Sequence, residues 1–251
     1  MLELSGITQI FGGVTALEDV SFSNIKGDIT GVIGPNGAGK TTLFNIISGI
    51  YTQTEGRVSL NGRDVSGMPP EKLARLKMVR TFQNIELFGG MTVRENVMVG
   101  LHTRSSSGLL ACSLRMPWSR SEETRIREGA RKWLEFTGIT DLADVTAANL
   151  PFGKGRMLEI ARALAVEPEI ILMDEPAAGL NSQETLRLAR LIRQIRDLGI
   201  TVVLVEHDME LVMEICDRIV VLNLGRKLAE GTPREIQENP EVIAAYLGDD
   251  D

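Results

Sequence analysis

The sequence is short of the features that would cross-link the chain, export it or carry it through a membrane. Its two cysteines, Cys112 and Cys216, stand in no CxxC spacing and near no histidine pair. They read as small buried or inert side chains in a reducing compartment. The opening Met1-Leu2-Glu3-Leu4 has neither a basic n-region nor an apolar h-region, so no signal peptide is expected. No apolar run approaches the roughly 20 residues of a membrane span, so any membrane role has to come through a partner. An excess of positive charge is missing as well. The formal net charge is −7, which argues against a nucleic-acid backbone as the main partner.

What is present is ordinary in bulk and specific in one place. A chain of 251 residues, 43% hydrophobic and 24% charged, can bury one large core or a core with a subdomain. Gly34-Pro35-Asn36-Gly37-Ala38-Gly39-Lys40-Thr41-Thr42 fits G-x-x-x-x-G-K-[ST] without a mismatch. The apolar run Ile29 to Ile33 leads into it as a strand, and Leu43, Ile46, Ile47 and Ile50 follow at helical spacing. Glycines let backbone N–H groups converge on phosphate oxygens, and the helix dipole adds partial positive charge. Lys40 is placed to reach the β- and γ-phosphates, and the Thr41 hydroxyl to take one Mg²⁺ position. The chain reads as nucleotide-binding.

Around this loop the chain alternates in period. Leu2, Leu4, Val20 and Phe22 read as half-buried antiparallel strands, with Phe11 beside a Gly12-Gly13 turn between them. Taken alone, Phe11 reads as a core or hairpin residue. Val58 and Leu60 precede Asn61-Gly62, a two-residue hairpin signal, with Val65 beyond it. Pro69-Pro70 opens a short helix with Leu73 and Leu76 inward, and Val79 to Gln83 reads as a strand ending in a polar residue. Thr92-Val93-Arg94-Glu95 fits a capping box. Residues 103–121 lack periodicity and read as an irregular insertion. Ile126, Ala130, Trp133 and Leu134 then return to helical spacing, with Arg125, Arg127, Arg131 and Lys132 on a solvated face.

Leu150-Pro151-Phe152-Gly153-Lys154 precedes a helix carried by Met157, Ile160, Ala161 and Leu164 and stopped by Pro168. Ile170 to Met173 is a short apolar run of the kind buried parallel strands show, and it ends in Asp174-Glu175. Strand tips face the ligand crevice in such sheets. Two adjacent buried acids need a cation, so Mg²⁺ is the economical partner, with an acidic loop start as the bland alternative. Leu188, Leu191, Ile192 and Ile195 make a helix closed by Gly199. Thr201 to Val205 is another buried strand, ending in Glu206-His207-Asp208, and His207 there is as open to function as to structure. Ile219 to Leu222 is a late strand, and Thr232-Pro233 and Asn239-Pro240 each cap a terminal helix.

Lys40 and Asp174 stand 134 positions apart, room for a separate helical subdomain. The expected fold class is α/β: a P-loop NTPase core with a parallel sheet, an antiparallel β-layer and an inserted helical subdomain. The core spans 1–87 and 166–251, and the subdomain, with its signature segment, spans 88–165.

With these motifs in order, the sequence resembles the ATP-binding subunit of ABC transporters over nearly its whole length. Gly34 to Thr42 matches Walker A, Gln83 the Q-loop, and Ile170 to Glu175 the Walker B strand with its catalytic glutamate. Ala178-Gly179-Leu180-Asn181 looks like the D-loop and His207 like the switch histidine, while Phe11 lies where the family stacks an aromatic on adenine. The family signature is usually Leu-Ser-Gly-Gly-Gln, and Leu150 to Lys154 departs from it at Pro151, which has neither hydroxyl nor N–H.

The likeness extends to the larger ATPase subunit of branched-chain amino acid importers. It rests on Pro176 to Asn181, Glu206-His207-Asp208-Met209, the 103–121 insertion and the ending Ala245-Tyr246-Leu247-Gly248.

The resemblance implies ATP hydrolysis coupled to transport. Glu175, His207, Lys40 and Gln83 would be catalytic. Phe11, Gly34 to Thr42, Leu150, Gly153 and Asn181 would touch ATP. Thr41, Gln83 and Asp174 would surround Mg²⁺. It further implies a second, different ATPase subunit, two membrane-spanning permease subunits, a substrate-binding protein acting indirectly, and a peripheral position on the cytoplasmic face of the inner membrane. Related amide or urea importers and a lipopolysaccharide exporter share several of these motifs, and a small-molecule P-loop kinase is a more distant reading.

Overall fold

In the computed structural model, residues 1–81, 83, 85–102 and 117–247 are described. They form two compact units: Met1–Gln83 with Glu169–Asp251, and Asn84–Pro168. These boundaries, 83/84 and 168/169, compare with sequence expectations of 87/88 and 165/166.

The first unit holds two sheets. Strands β1 (Leu2–Phe11), β2 (Val14–Ser23), β4 (Glu55–Leu60) and β5 (Arg63–Asp64) make an antiparallel layer in the order β2-β1-β4-β5. The Asn61-Gly62 turn joins β4 to β5 with both residues at positive φ, as the sequence predicts. The second sheet runs β10-β9-β3-β8-β7-β6. Its members are β3 (Ile29–Ile33), β6 (Met78–Thr81), β7 (Ile170–Asp174), β8 (Thr201–Val205), β9 (Arg218–Asn223) and β10 (Arg226–Gly231). Five of these strands are parallel, and β10 folds back antiparallel on β9. In β3, β7 and β8 every residue is buried, which explains their unbroken apolar runs.

Helix α1 (Lys40–Ile47) buries Leu43, Phe44, Ile46 and Ile47 in a core shared with both sheets. Ile50 does not continue this face. The chain turns at Gly49, whose φ is 75°, and leaves Ile50 exposed. Helix α2 (Pro70–Arg75) buries Leu73, with Leu76 packed partly against the same core.

In the second unit, α3 (Val93–His102), α4 (Pro117–Phe136) and α5 (Phe152–Ala165) pack together, and two short 3₁₀ turns lie between α4 and α5. Thr92 and Glu95 close the expected capping box: the Thr92 amide donates to Glu95 at 2.8 Å and the Glu95 amide to Thr92 at 3.2 Å. Part of the anticipated irregular insertion is helical, because α4 begins at Pro117. The remainder, 103–116 with Cys112, lies outside the described residues. Ile126, Ala130, Trp133 and Leu134 are buried as their spacing predicts. Helix α5 starts at Phe152, inside the segment expected to precede it. Leu158 fills the core where Met157 was expected, and Met157 is half-buried.

The first unit is completed by α6 (Ser182–Asp197), α7 (Met209–Ile215), α8 (Pro233–Gln237) and α9 (Pro240–Leu247). Thr232 and Asn239 cap the last two, with Pro at the first helical position of each. Among the described residues, no helix is long and apolar enough to cross a membrane.

Candidate active site: a phosphate loop facing two acidic strand tips

The loop between β3 and α1 is built so that only glycine fits its tightest points. A Cβ on Gly34 would lie 2.1 Å from the Leu222 carbonyl oxygen, and one on Gly39 would lie 2.8 Å from that of Ala16. Both residues also take positive φ. Gly39 is the N-cap of α1 and makes no side-chain cap bond, so backbone amides of the first turn are left to face a ligand. Lys40 is buried, and its Nζ donates to the carbonyls of Gly34 at 2.6 Å and Pro35 at 2.7 Å. Thr41 is exposed beside it and Thr42 half-buried. Asn36 and Gly37 are exposed at the loop's crest, while Pro35 and Ala38 are buried. Tyr246, from α9, meets this loop too. Burial pushes its phenol up to about 12, and the Gly34 backbone hydrogen-bonds to it.

Adjacent parallel strands bring the acids next to one another. β7 ends at Asp174, which pairs with Val205 at the end of β8, so Glu175 and His207 emerge from neighbouring tips. Glu175 takes a φ of 45°, a left-handed conformation that costs an ordinary residue of order 1–3 kcal/mol and clusters at functional sites. Its carboxylate is held on both sides. Oε1 lies 2.8 Å from His207 Nε2, and Oε2 accepts from Gln83 Nε2 at 2.7 Å. Two residues drawn from different stretches of the chain thus converge on the Glu175 carboxylate.

Asp174 has a different environment. Its Oδ2 lies 2.6 Å from Arg80 in an ion pair with little solvent access. Beside the Mg²⁺ ion or acidic loop start expected from sequence, Asp174 thus has a protein counter-ion, the Arg80 guanidinium. The same group donates to Asn45 Oδ1 at 2.8 Å and Ser48 Oγ at 2.7 Å, both on or just past α1. An arginine in a short edge strand of a largely apolar sheet was the available signal, since a buried guanidinium requires an acidic partner.

A second overlooked residue is Glu206. Its Oε1 accepts from the Ala177 amide at 2.7 Å and its Oε2 from the His207 amide at 3.0 Å. Burial raises its pKa above the ordinary value of 4.5, against the lowering effect of these amide bonds. It joins the turn after Glu175 to the base of His207. That turn is closed by Ala178 N–H to Glu175 O and Leu180 N–H to Ala177 O. Asn181 ends it as the N-cap of α6, its side-chain oxygen accepting from Gln183 and Glu184 at 3.1 Å each. The oxygen is therefore occupied in a helix cap.

Phe11 is exposed, which excludes the core reading. Its ring meets Tyr51 edge-on at 5.4 Å between centroids, a partner not anticipated from sequence. Cys216 is buried, and burial pushes its thiol up to about 12, as suits an inert side chain.

In the second unit, Pro151 is the N-cap of α5 and supplies no side-chain cap bond. Leu150 is half-buried, Gly153 sits in the first helical turn, and Phe152 is exposed. Below them Arg156 and Glu159 form a fully buried pair at 2.7 Å.

The side chains open to a metal are hard donors: a hydroxyl on Thr41 in the phosphate loop, a carboxylate on Asp174 at the tip of β7 and an amide on Gln83 just past β6. Among the described residues, no group of three or more His, Cys, Asp or Glu could hold a metal without help. A Mg²⁺ ion suits such a sparse oxygen set, because it keeps waters and shares ligands with substrate phosphates.

The chain is similar to known proteins over nearly its whole length. Residues 17–178 match the family described as ABC transporter, and residues 226–251 match one described as branched-chain amino acid ATP-binding cassette transporter. The high-affinity branched-chain amino acid transport ATP-binding protein BraF of Pseudomonas aeruginosa is 46% identical over 250 residues, 99% of this chain and 98% of that one. The corresponding LivG protein of Escherichia coli is 44% identical over the same shares. A crystal structure of an ATP-binding cassette of an ABC transporter in its ADP conformation superposes with a TM-score of 0.86. It is 34% identical and covered over 99% of both chains.

Proposed function

The chain belongs to the ABC transporter family, and from that premise we propose that it is the ATP-hydrolysing subunit of an importer of branched-chain amino acids. The observation that carries hydrolysis is the Glu175 carboxylate, held in a left-handed backbone between Gln83 and His207.

Phosphoryl transfer to water asks a protein for positioning and charge neutralisation. The amides at the start of α1 and the ammonium of Lys40 receive the phosphate chain of ATP. Phe11 offers its exposed ring to the base, with Tyr51 packed against it in a T-shaped contact. Thr41 and Asp174, with Gln83, would hold Mg²⁺, which offsets charge on the β- and γ-phosphates when bound. Glu175 orients the attacking water and accepts its proton. His207 steadies Glu175 and reaches toward the γ-phosphate.

Hydrolysis completes across a dimer, in which the partner's signature segment meets the γ-phosphate. Leu150 and Gly153 present that segment here, with the first amides of α5 as donors. Pro151 brings neither hydroxyl nor N–H, so the chain pairs with a different ATPase subunit rather than with a copy of itself. Two permease subunits hold the pair at the cytoplasmic face of the inner membrane, and a substrate-binding protein delivers the amino acid.

The test is reconstitution in liposomes of this chain with the ATPase, permease and binding proteins encoded beside it. ATP-dependent uptake of labelled leucine is the expected result. Uptake of urea or a small amide instead of leucine would move the substrate class, and a phosphorylated small-molecule product would replace transport with a kinase.

A further inference from the structure

Arg80 lies three positions before Gln83, on the edge strand β6, and four interactions of its guanidinium fix it in place. It binds Asp174 Oδ2 at 2.6 Å, Asn45 Oδ1 at 2.8 Å and Ser48 Oγ at 2.7 Å, and it lies 5.7 Å from the centre of the Phe44 ring. Three of these partners belong to the stretch that follows the phosphate loop, and the fourth is the acid at the tip of β7. Both members of the ion pair are nearly closed to solvent. At such a site the fork of a guanidinium fixes direction as well as charge, which an ammonium does less well.

We propose that Arg80 is a positioning residue for the metal that accompanies the nucleotide. By holding Asp174 through Oδ2, it turns Oδ1 toward the phosphate loop as the oxygen a Mg²⁺ ion or its water meets. It also ties Asp174 to α1 through Asn45 and Ser48, so the acid and the phosphate-binding helix keep one spacing. The proposal rests on the reading above, in which ATP binds together with Mg²⁺.

A structural staple alone would change stability and leave metal recognition intact, so metal and nucleotide are read separately. Binding of a fluorescent ATP analogue is titrated in EDTA and then against Mg²⁺. Mn²⁺ half-saturation is followed in parallel by electron paramagnetic resonance. The original chain is compared with Arg80→Gln and Arg80→Lys.

The expected result is ATP affinity in EDTA within about threefold of the original. Half-saturation by Mg²⁺ or Mn²⁺ should rise roughly tenfold in Arg80→Gln, the lower range for groups that orient a metal ligand. Arg80→Lys, which keeps the charge and serves if the Gln variant does not fold, should recover part of that loss. Unchanged metal half-saturation in a folded variant would overturn the proposal, and so would an equal loss of ATP affinity with and without metal. If ATP binding by the original chain did not depend on metal at all, the magnesium reading would fall first and this proposal with it.

Discussion

His207 Nε2 and Glu175 Oε1 lie 2.8 Å apart across two adjacent strand tips, and the opposite oxygen of Glu175 is taken by Gln83 at 2.7 Å. A histidine and a glutamine that a linear reading can take for strand-end residues thereby belong to one carboxylate. Whatever moves either of them moves the group that would activate water.

Glu175→Gln keeps the shape of the side chain and removes its basicity. Hydrolysis is expected to fall by roughly 10²–10⁴, the usual contribution of a positioned general base, while ATP binding persists. Steady-state turnover in the assembled transporter, set beside nucleotide titration, checks this. Near-normal turnover would pass the role to another group, with His207 first. Glu175→Asn should lose turnover equally yet melt no lower than the original, because Asn tolerates the left-handed backbone that strains Glu.

Lys40→Ala removes the one ammonium in the loop, which the Gly34 and Pro35 carbonyls hold in place. Tight ATP binding should be lost. Calorimetric titration giving the original affinity for Mg-ATP would take Lys40 out of the phosphate site.

Pro151→Ser has two consequences, because Pro151 is both the departing signature residue and an uncapped N-cap of α5. A serine there supplies the missing cap, with an expected gain of about 1 kcal/mol in the stability of the helical unit. The hydroxyl also restores a donor toward a partner's γ-phosphate, so ATP-dependent self-association should strengthen. Chemical denaturation reads the first effect and size-exclusion chromatography with Mg-ATP the second. A rise in stability without any change in association would tie Pro151 to folding alone.

Glu206→Gln separates charge from position. Burial raises the folded pKa of Glu206 above 4.5, so the native state favours its protonated form. The resulting stabilisation is fully present below the unfolded value and is lost as pH rises through the folded one. The stability of the original chain relative to Glu206→Gln should therefore be greatest at acid pH and shrink on moving upward from about 4.5. Urea unfolding of both proteins across that range measures it, and a gap that widened with pH would reverse the assignment.

Most of the first unit was legible because its strands are uniform. Five-residue apolar runs bounded by turns read as buried parallel strands, and Gly34 to Thr42 has a backbone that few other sequences can follow. The second unit was legible where its period held, at Ile126 to Leu134, and less so at Phe152 to Lys154, where a Pro-Phe-Gly start hid the first helical turn. Strand β10 escaped notice because Arg226 to Gly231 is half charged or exposed and shows no alternation.

Arg80 and Glu206 escaped for another reason. Their meaning lies in neighbours far along the chain: Asp174 for the first and Ala177 for the second. Periodicity reports which face a residue takes and says nothing of which strand will lie beside it.

Strand β3, which leads into the phosphate loop, has no early neighbour in its sheet. Ile29 pairs with Val202 on one side, and Thr30 pairs with Arg218 on the other. On a ribosome adding roughly 5–20 residues per second, both edges of that strand stay open for on the order of 10–35 seconds before β8 and β9 exist. The nucleotide site is thus among the last parts of the chain to form, although its motif is among the first to be made. An unpaired apolar strand is a target for the wrong partner over that interval. Translation speed and chaperone supply therefore bear on how much active subunit a cell obtains, independently of how stable the finished fold is.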